Sequence, residues 1–385
     1  MKDASAVTTL AVPFNRPYTT GSELPYIEEA IRGSHLSGNG PFSRRCAHFL
    51  EQLLGAERVL LTHSCTGALE MAALLANVGP ADEVVMPSFT FSSTATAFVL
   101  RGATPVFVDV REDTLNLDEQ LVAAAVTDRT RALVPVHYGG VACAMDELLE
   151  IAAGHGLEVI EDAAHALGAS LKGRLLGTYG DLATLSFHET KNVICGEGGA
   201  LVVNDAELVE RAEIVHEKGT NRRAFFRGQV DKYTWVDAGS SFPASELAAA
   251  FLWAQLEHFE WLNEQRVAVW ERYHEGFEEL EEDGALRRPV VPEGFRHNAH
   301  LYYLLLPSER QRQDLIDELA RRQVVSVFHY VPLHSSPAGH RYGRTAAPLP
   351  VTDDVSARLV RLPLWVGMSD AQVDHVIASV RQILA

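Results

Sequence analysis

Short apolar runs recur along the first two-thirds of the chain, and most are followed by a stretch with helical spacing. Val59-Leu60-Leu61-Thr62 leads into an Ala/Leu-rich amphipathic stretch at 67–76, and Glu83-Val84-Val85-Met86-Pro87 leads into 93–100. Further compact apolar runs stand at 105–108, 132–136, 158–160, 183–187 and 200–203. Strands that are apolar on nearly every residue are buried on both faces. The alternation therefore predicts an α/β fold with a mostly parallel sheet covered by helices on both sides. After Ala206 the rhythm changes. A long helical pattern occupies 246–273, and then 300–306, 324–328 and 370–384 predict a smaller α+β unit, with the Pro/Ala-rich 345–350 as a loop. The expected division is a large α/β domain over 1–255 and a small C-terminal domain over 256–385.

The length of 385 residues agrees with about two domains. Apolar residues make up 47% and charged residues 22%, an ordinary globular mixture that excludes wholesale disorder. The 33 Lys+Arg against 51 Asp+Glu give a net charge of −18, which disfavours phosphate backbones and anionic membranes unless a local basic pocket exists. No apolar run approaches the ~20 residues of a spanning helix, and Met1-Lys2-Asp3 does not open a secretory signal. The four cysteines (Cys46, Cys65, Cys143, Cys195) are widely spaced without C-x-x-C, so neither a disulfide framework nor a thiolate metal site is expected. The reading is a soluble, cytoplasmic protein that binds no nucleic acid, membrane or metal.

Four pieces of chemistry each fall just after an expected strand. Ser64-Cys65-Thr66-Gly67-Ala68 opens a helix, where free backbone N–H groups and the dipole favour a phosphate; a plain N-cap is the alternative. Glu158-Val159-Ile160-Glu161-Asp162-Ala163-Ala164-His165 puts a carboxylate at a strand's carboxyl end, where open α/β sheets bind ligands. A protonated pyridine nitrogen would suit Asp162, though it could equally cap the next helix. Ser186-Phe187-His188-Glu189-Thr190-Lys191 precedes Gly196-Glu197-Gly198-Gly199, and its lysine could form a Schiff base, or be a solvated surface charge. Phe91 could stack on a flat heteroaromatic ring or simply be core. Together they are what pyridoxal phosphate requires: phosphate cup, ring-nitrogen acid, Schiff-base lysine and stacking aromatic.

These segments resemble the DegT/DnrJ/EryC1/StrS sugar aminotransferases, and the likeness runs from about Pro13 to near the C-terminus. It is closest to the dTDP-4-amino-4,6-dideoxygalactose transaminase branch, which aminates carbon 4 of dTDP-4-keto-6-deoxyglucose. Residues 134–138, 217–222, 226–235 and 328–334 carry the branch-level likeness. The resemblance implies a fold-type-I aminotransferase that passes the amino group of L-glutamate to the keto sugar, with pyridoxal 5′-phosphate alternating with its pyridoxamine form. By the same resemblance Lys191 would hold the cofactor and carry the proton, and Asp162 would pair with the ring nitrogen. Thr66, Gly67 and Ser186 would bind the phosphate, Phe91 would cover one ring face, and His165 would lie near the ring hydroxyl. Relatives place an asparagine of a G-Y-N-Y-R motif, from the partner subunit, against the phosphate. Here the run is Gly239-Ser240-Ser241-Phe242-Pro243, so Ser241 replaces the amide and Pro243 the arginine. At least a homodimer with shared sites is implied.

For the nucleotide end, Lys218, Arg222, Arg227 and Lys232 are the available cations, with Tyr233 or Trp235 able to stack on thymine, unless this is a charged surface loop. His329 and His334 are candidates for sugar contact. The intact His188-Glu189-Thr190-Lys191 argues against a pyridoxamine-dependent sugar dehydratase, which resembles this family but carries histidine in place of the lysine. A nicotinamide enzyme lacks its G-x-G-x-x-G near the start. Carbon-3 amination remains the alternative within the family.

Overall fold

The computed structural model describes residues 10–385. Along the chain its strands are β1 (Arg58–Thr62), β2 (Glu83–Pro87), β3 (Thr104–Val108), β4 (Thr130–Leu133), β5 (Glu158–Asp162), β6 (Ser170–Leu171), β7 (Arg174–Leu175), β8 (Leu182–Ser186), β9 (Gly199–Val203), β10 (Phe295–Arg296), β11 (Tyr302–Leu305), β12 (Arg344–Thr345) and β13 (Leu359–Leu362). The main sheet has the order β1-β9-β8-β5-β4-β2-β3-β12. Pairings from β8 through to β12 are all parallel, whereas β9 runs antiparallel to both β8 and β1. That reversal matters for the site. It brings the first residue of β9, Gly199, to the same edge as its partners Thr62 and Ser186, the last residues of β1 and β8.

Successive strand side chains point to opposite faces, and the apolar runs fill both. Leu61, Val85, Leu133, Val159, Leu185 and Val202 enter one core, while Leu60, Val84, Ala132, Ile160, Leu182 and Leu201 enter the other. The first core is closed by helices α1 (Glu23–Arg32) and α2 (Pro41–Leu54), and the second by α3 (Cys65–Leu75) and α4 (Ser92–Val99). A third core joins Val269, Tyr273, Tyr302, Leu315, Leu362 and Val380 with Val12 from the N-terminal segment. It packs around the antiparallel pair β11–β13 and the helices Glu309–Arg321 and Asp370–Leu384.

Two expectations are adjusted. The pattern at 246–273 is two helices, Glu246–Leu256 and Phe259–Gly276. They divide because they serve different cores: Leu252 and Leu256 belong to the first, Val269 and Tyr273 to the third. The run at 324–328 forms no strand of its own. Its backbone bridges Val12 on one side through Val324 and Arg361 on the other through Val327.

The turn into α2 depends on a distant carboxylate. Glu246 is fully buried and accepts from the N–H groups of Gly40 (2.9 Å), Phe42 (2.8 Å) and Ser43 (3.0 Å), three donors that the helix itself leaves unpaired. Glu246→Ala should lower stability by about 3 kcal/mol, since buried orphan donors cost roughly 1–3 kcal/mol each when the structure cannot rewet them. Urea unfolding would measure this; an unchanged midpoint would mean that water replaces the carboxylate.

Candidate active site

Four chain segments converge at the carboxyl edge of the main sheet. The N-terminus of α3 follows β1, with Ser64 as N-cap accepting from Gly67 N–H at 3.0 Å. The N–H groups of Cys65 and Thr66, first in the helix, have no intrahelical acceptor. Thr66 Oγ1 lies 2.7 Å from Ser93 Oγ on α4. The close approach is possible because Gly199 has no side chain: a Cβ there would stand 2.4 Å from the Cys65 nitrogen. Gly196–Gly199 thus lets backbone pass close to the helix start.

Asp162 ends β5 and is nearly buried, at 5% exposure. Its Oδ2 accepts from the Thr94 hydroxyl at 2.7 Å and its Oδ1 from Ala164 N–H at 3.2 Å. Thr94 Oγ1 is in turn 2.9 Å from Thr90 Oγ1, so the hydroxyl chain runs Thr90 to Thr94 to Asp162. Neighbouring Glu161 is fully buried and accepts from His137 Nε2 and from the N–H groups of Gly177, Tyr179 and Gly180. This anchor fixes the end of β5 and therefore the backbone that carries Asp162.

Lys191 follows β8 on a loop tied by Lys191 N–H to His188 O (2.9 Å) and Glu189 N–H to Gly196 O (2.9 Å). The adjacent Asn192 donates to Asn298 O (2.7 Å) and Asn263 Oδ1 (2.9 Å), pinning the loop to the second half of the chain. Burial brings the Lys191 amine down to about 8, so a sizeable neutral fraction exists near physiological pH. Neutral amine is the nucleophilic form.

These groups face one cavity of about 550 Å³, whose walls include Ser64, Thr66, Phe91, Asp162, His165, Ser186, Lys191 and His329. Phe91 is 61% exposed at its mouth, whereas its neighbour Phe89 is buried against Tyr138 and Tyr330. His165 accepts from Gly139 N–H at Nδ1 (3.4 Å), which places its proton on Nε2, 3.3 Å from the Tyr330 hydroxyl. It stacks on His300 at 4.0 Å. Burial holds His165, His300 and His329 well below their ordinary values, so these rings are neutral at pH 7. Cys65 also lines the cavity, but burial pushes its thiol up to about 12 and makes it an uncharged wall.

Other expected residues lie elsewhere within one chain. Gly67 backs the cavity rather than lining it, and its N–H is already given to Ser64. Ser241 is exposed and bridges Glu217, beside Pro243, which bridges Thr62. Arg222 and Arg227 line a separate and larger cavity of about 730 Å³ with Arg58, Glu213 and Arg223, and share no wall with Lys191. Arg227 is paired there with Glu213 at 2.7 Å. Lys218, Lys232, Tyr233 and Trp235 are exposed on the adjoining segment, and none reaches the Lys191 cavity. His334 also stands outside it, held by Ser88 Oγ (2.8 Å) and by Asp353 (3.3 Å). The size of the second cavity does not make it the reaction site: its walls carry no lysine amine for a Schiff base. Among the described residues no group of His, Cys, Asp or Glu is placed to hold a metal ion.

Thr94, Tyr330, His300 and Arg361 were not singled out from the sequence. Thr90 and Thr94 stand in the same strand-to-helix turn as Phe91, so a hydroxyl pair four residues apart was a readable signal. Arg361 interrupts the apolar run Leu359-Val360-Arg361-Leu362-Pro363-Leu364, and a charge inside a buried strand is another.

The donor set suits a phosphorylated heteroaromatic aldehyde: unpaired helix N–H groups and hydroxyls for the phosphate, a hydrogen-bonded carboxylate at depth, an amine and an exposed aromatic face. On this sheet, that is the constellation of a fold-type-I pyridoxal-phosphate-dependent aminotransferase. The DegT/DnrJ/EryC1/StrS aminotransferase family profile matches residues 17–381, and the chain belongs to that family. It is 35% identical over 381 residues to the spore coat polysaccharide biosynthesis protein SpsC of Bacillus subtilis, with 97% of each chain covered. The aminotransferase TlmJ from Streptoalloteichus hindustanus superposes with a TM-score of 0.88 at 31% identity, covering 97% of this chain and 98% of that one. Spr1654 from Streptococcus pneumoniae, solved in both PLP and PMP forms, gives 0.89 at 25% identity; each covers 97% of this chain, and 99% and 98% of theirs respectively. The enzyme is a transaminase that uses pyridoxal phosphate, with an amino donor and a sugar as substrates.

Proposed function

We propose that the enzyme transfers the amino group of L-glutamate to carbon 4 of dTDP-4-keto-6-deoxy-D-glucose, giving a dTDP-4-amino-4,6-dideoxy sugar and 2-oxoglutarate. The observation that carries this reading is the branch-level likeness of 134–138, 217–222, 226–235 and 328–334. Two of these runs meet beside the cavity, where the Tyr138 hydroxyl lies 2.7 Å from His329 Nδ1. Bound pyridoxal phosphate supplies a carbon for amine exchange and an electron sink.

In this reading the chain's own groups do the rest. Lys191 Nζ anchors the cofactor, takes the α-proton from the donor and returns a proton to the sugar carbon. The Asp162 carboxylate, oriented by Thr94 and Ala164 N–H, favours a protonated ring nitrogen. Thr66, Ser186 and the free N–H groups of α3 hold the phosphate, while Gly67 gives the helix start room. Phe91 covers a ring face, and neutral His165 lies near the ring hydroxyl. The separation of Ser241, Lys218, Arg222, Arg227, Lys232, Tyr233 and Trp235 from the Lys191 cavity fits a homodimer in which they serve the other copy's site. Exposed Phe226 (69%) and Trp235 (77%) would be covered by that association. His329, on the cavity wall, is the candidate sugar contact; His334, bonded to buried Ser88 outside that wall, is not. Among the described residues no helix is long and apolar enough to cross a membrane; we place the enzyme in the cytoplasm.

The test is a pair of half-reactions on purified, cofactor-loaded protein. L-Glutamate should bleach the visible cofactor band and dTDP-4-keto-6-deoxyglucose should restore it, with NMR of the product locating the new amine. Restoration only by a 3-keto sugar would move the reaction to carbon 3 and overturn the substrate reading while leaving the transaminase intact.

A further inference from the structure

His300 stands on the wall of the Lys191 cavity, two residues before β11. Its Nδ1 lies 3.0 Å from Asn192 Oδ1, and Asn192 is the residue next to Lys191. The Asn192 amide has one orientation. Its NH₂ group faces the Asn298 carbonyl at 2.7 Å and Asn263 Oδ1 at 2.9 Å, so both hydrogens are committed and the oxygen is left for His300. That network assigns the His300 proton to Nδ1, which donates to Asn192.

The turn that carries His300 is itself held from several directions. Ala299 is fully buried at φ +50°, a left-handed conformation costly for any residue with a Cβ. Arg266, buried on the helix Phe259–Gly276, donates to the carbonyls of Ala299 (3.1 Å) and His300 (2.6 Å). Asn298 donates to the carbonyls of His165 (2.9 Å) and Leu167 (3.0 Å) and accepts from His300 N–H at 3.2 Å. It fits because residue 140 is glycine: a Cβ there would collide with Asn298 Oδ1. The His300 ring then lies on that of His165 at 4.0 Å, with 23° between their planes. Strain of this kind persists only where the surroundings over-determine it, and it gathers at functional sites. We propose that His300 is a positioning residue for Lys191, setting through Asn192 where the amine stands in the cavity. The inference rests on Lys191 being the working amine of the transaminase. Backbone bonds within 187–198 give the lysine loop its shape but join the loop to itself. Outward, Asn15 reaches Glu189 O at 3.2 Å in an exposed contact, whereas Asn192 is buried. Placement of the amine therefore depends on Asn192, and the orientation of Asn192 on His300.

The test follows each half-reaction separately in the full-length, cofactor-loaded enzyme. His300→Phe keeps a ring to stack on His165 and removes the donor. It should slow both half-reactions about 10- to 100-fold per bound cofactor, the scale on which a small misplacement of a reacting group acts. KM for L-glutamate and for the keto sugar should stay unchanged, as expected of a group that touches neither. The visible cofactor band should lose circular dichroism, a signal that reports how the cofactor is held and does not depend on turnover. His300→Asn can present an amide N–H near the position of Nδ1, and should recover part of both the rate and the dichroism. Asn192→Leu removes the same bond from the other side, and adding His300→Phe to it should slow the enzyme no further. That arm carries the proposal if His300→Phe alone fails to fold. A lower melting temperature with normal rates per bound cofactor would make His300 purely structural. A loss confined to one half-reaction, or expressed in KM, would make it a substrate contact. Either result overturns the assignment. Wild-type protein that forms no visible band with pyridoxal phosphate would instead remove the role of Lys191 on which it rests.

Discussion

Lys191→Met should abolish amino transfer in both half-reactions, a fall of about 10⁴-fold, the upper end of what a positioned general base supplies. In the proposed mechanism the effect is large because one amine has two tasks: proton carrier in each half-reaction, and nucleophile through the neutral form that burial favours. The loop that carries it is held by backbone bonds and by Asn192, so the substitution should leave the fold intact. Stopped-flow absorbance after mixing with L-glutamate checks this directly. If the variant still completes a half-reaction within an order of magnitude of wild type, another base must serve, and neutral His165 or His329 would be the place to look.

Asp162→Asn should lower turnover by roughly 10²–10³-fold with little loss of stability, comparable to removing one preorganised electrostatic partner of a transition state. The amide is nearly isosteric and can keep both contacts. Ala164 N–H needs one oxygen, and the Thr94 hydroxyl can turn to accept from the new NH₂. What disappears is the charge. The prediction is therefore a variant that binds pyridoxal phosphate and melts near the wild-type temperature, yet reacts slowly with glutamate. A variant with near-normal turnover would mean that ring-nitrogen protonation does not limit the reaction here.

The sheet was legible because its strands are apolar on consecutive residues, and the observed alternation of Leu60 with Leu61 or Val84 with Val85 between two cores is the reason for that pattern. Lys191, Asp162 and the α3 start could be found because each follows a strand that the pattern marks. The direction of β9 could not be, since an apolar run reads alike both ways. Thr94 and Arg361 escaped for another reason. Their surroundings are assembled from parts far along the chain, Asp162 for the first and the cavity walls for the second. The basic residues between 218 and 232 formed a cluster in sequence, yet within one chain Arg227 is paired with Glu213 and stands apart from the Lys191 cavity. Charge composition reports the presence of cations, while topology decides which cavity receives them.

The walls of the Lys191 cavity are drawn from Phe14 near one end of the described chain to Arg361 near the other. Contacts so distant in sequence bear loop-closure entropy before they return any stabilisation, so they belong to the late, slow stages of folding. During synthesis the α3 start can form early, but the complete cavity must wait until β13 has been made and docked. On the proposed site, tight capture of pyridoxal phosphate would need β13 docked, so bound cofactor would mark a completed cavity and not its nucleus.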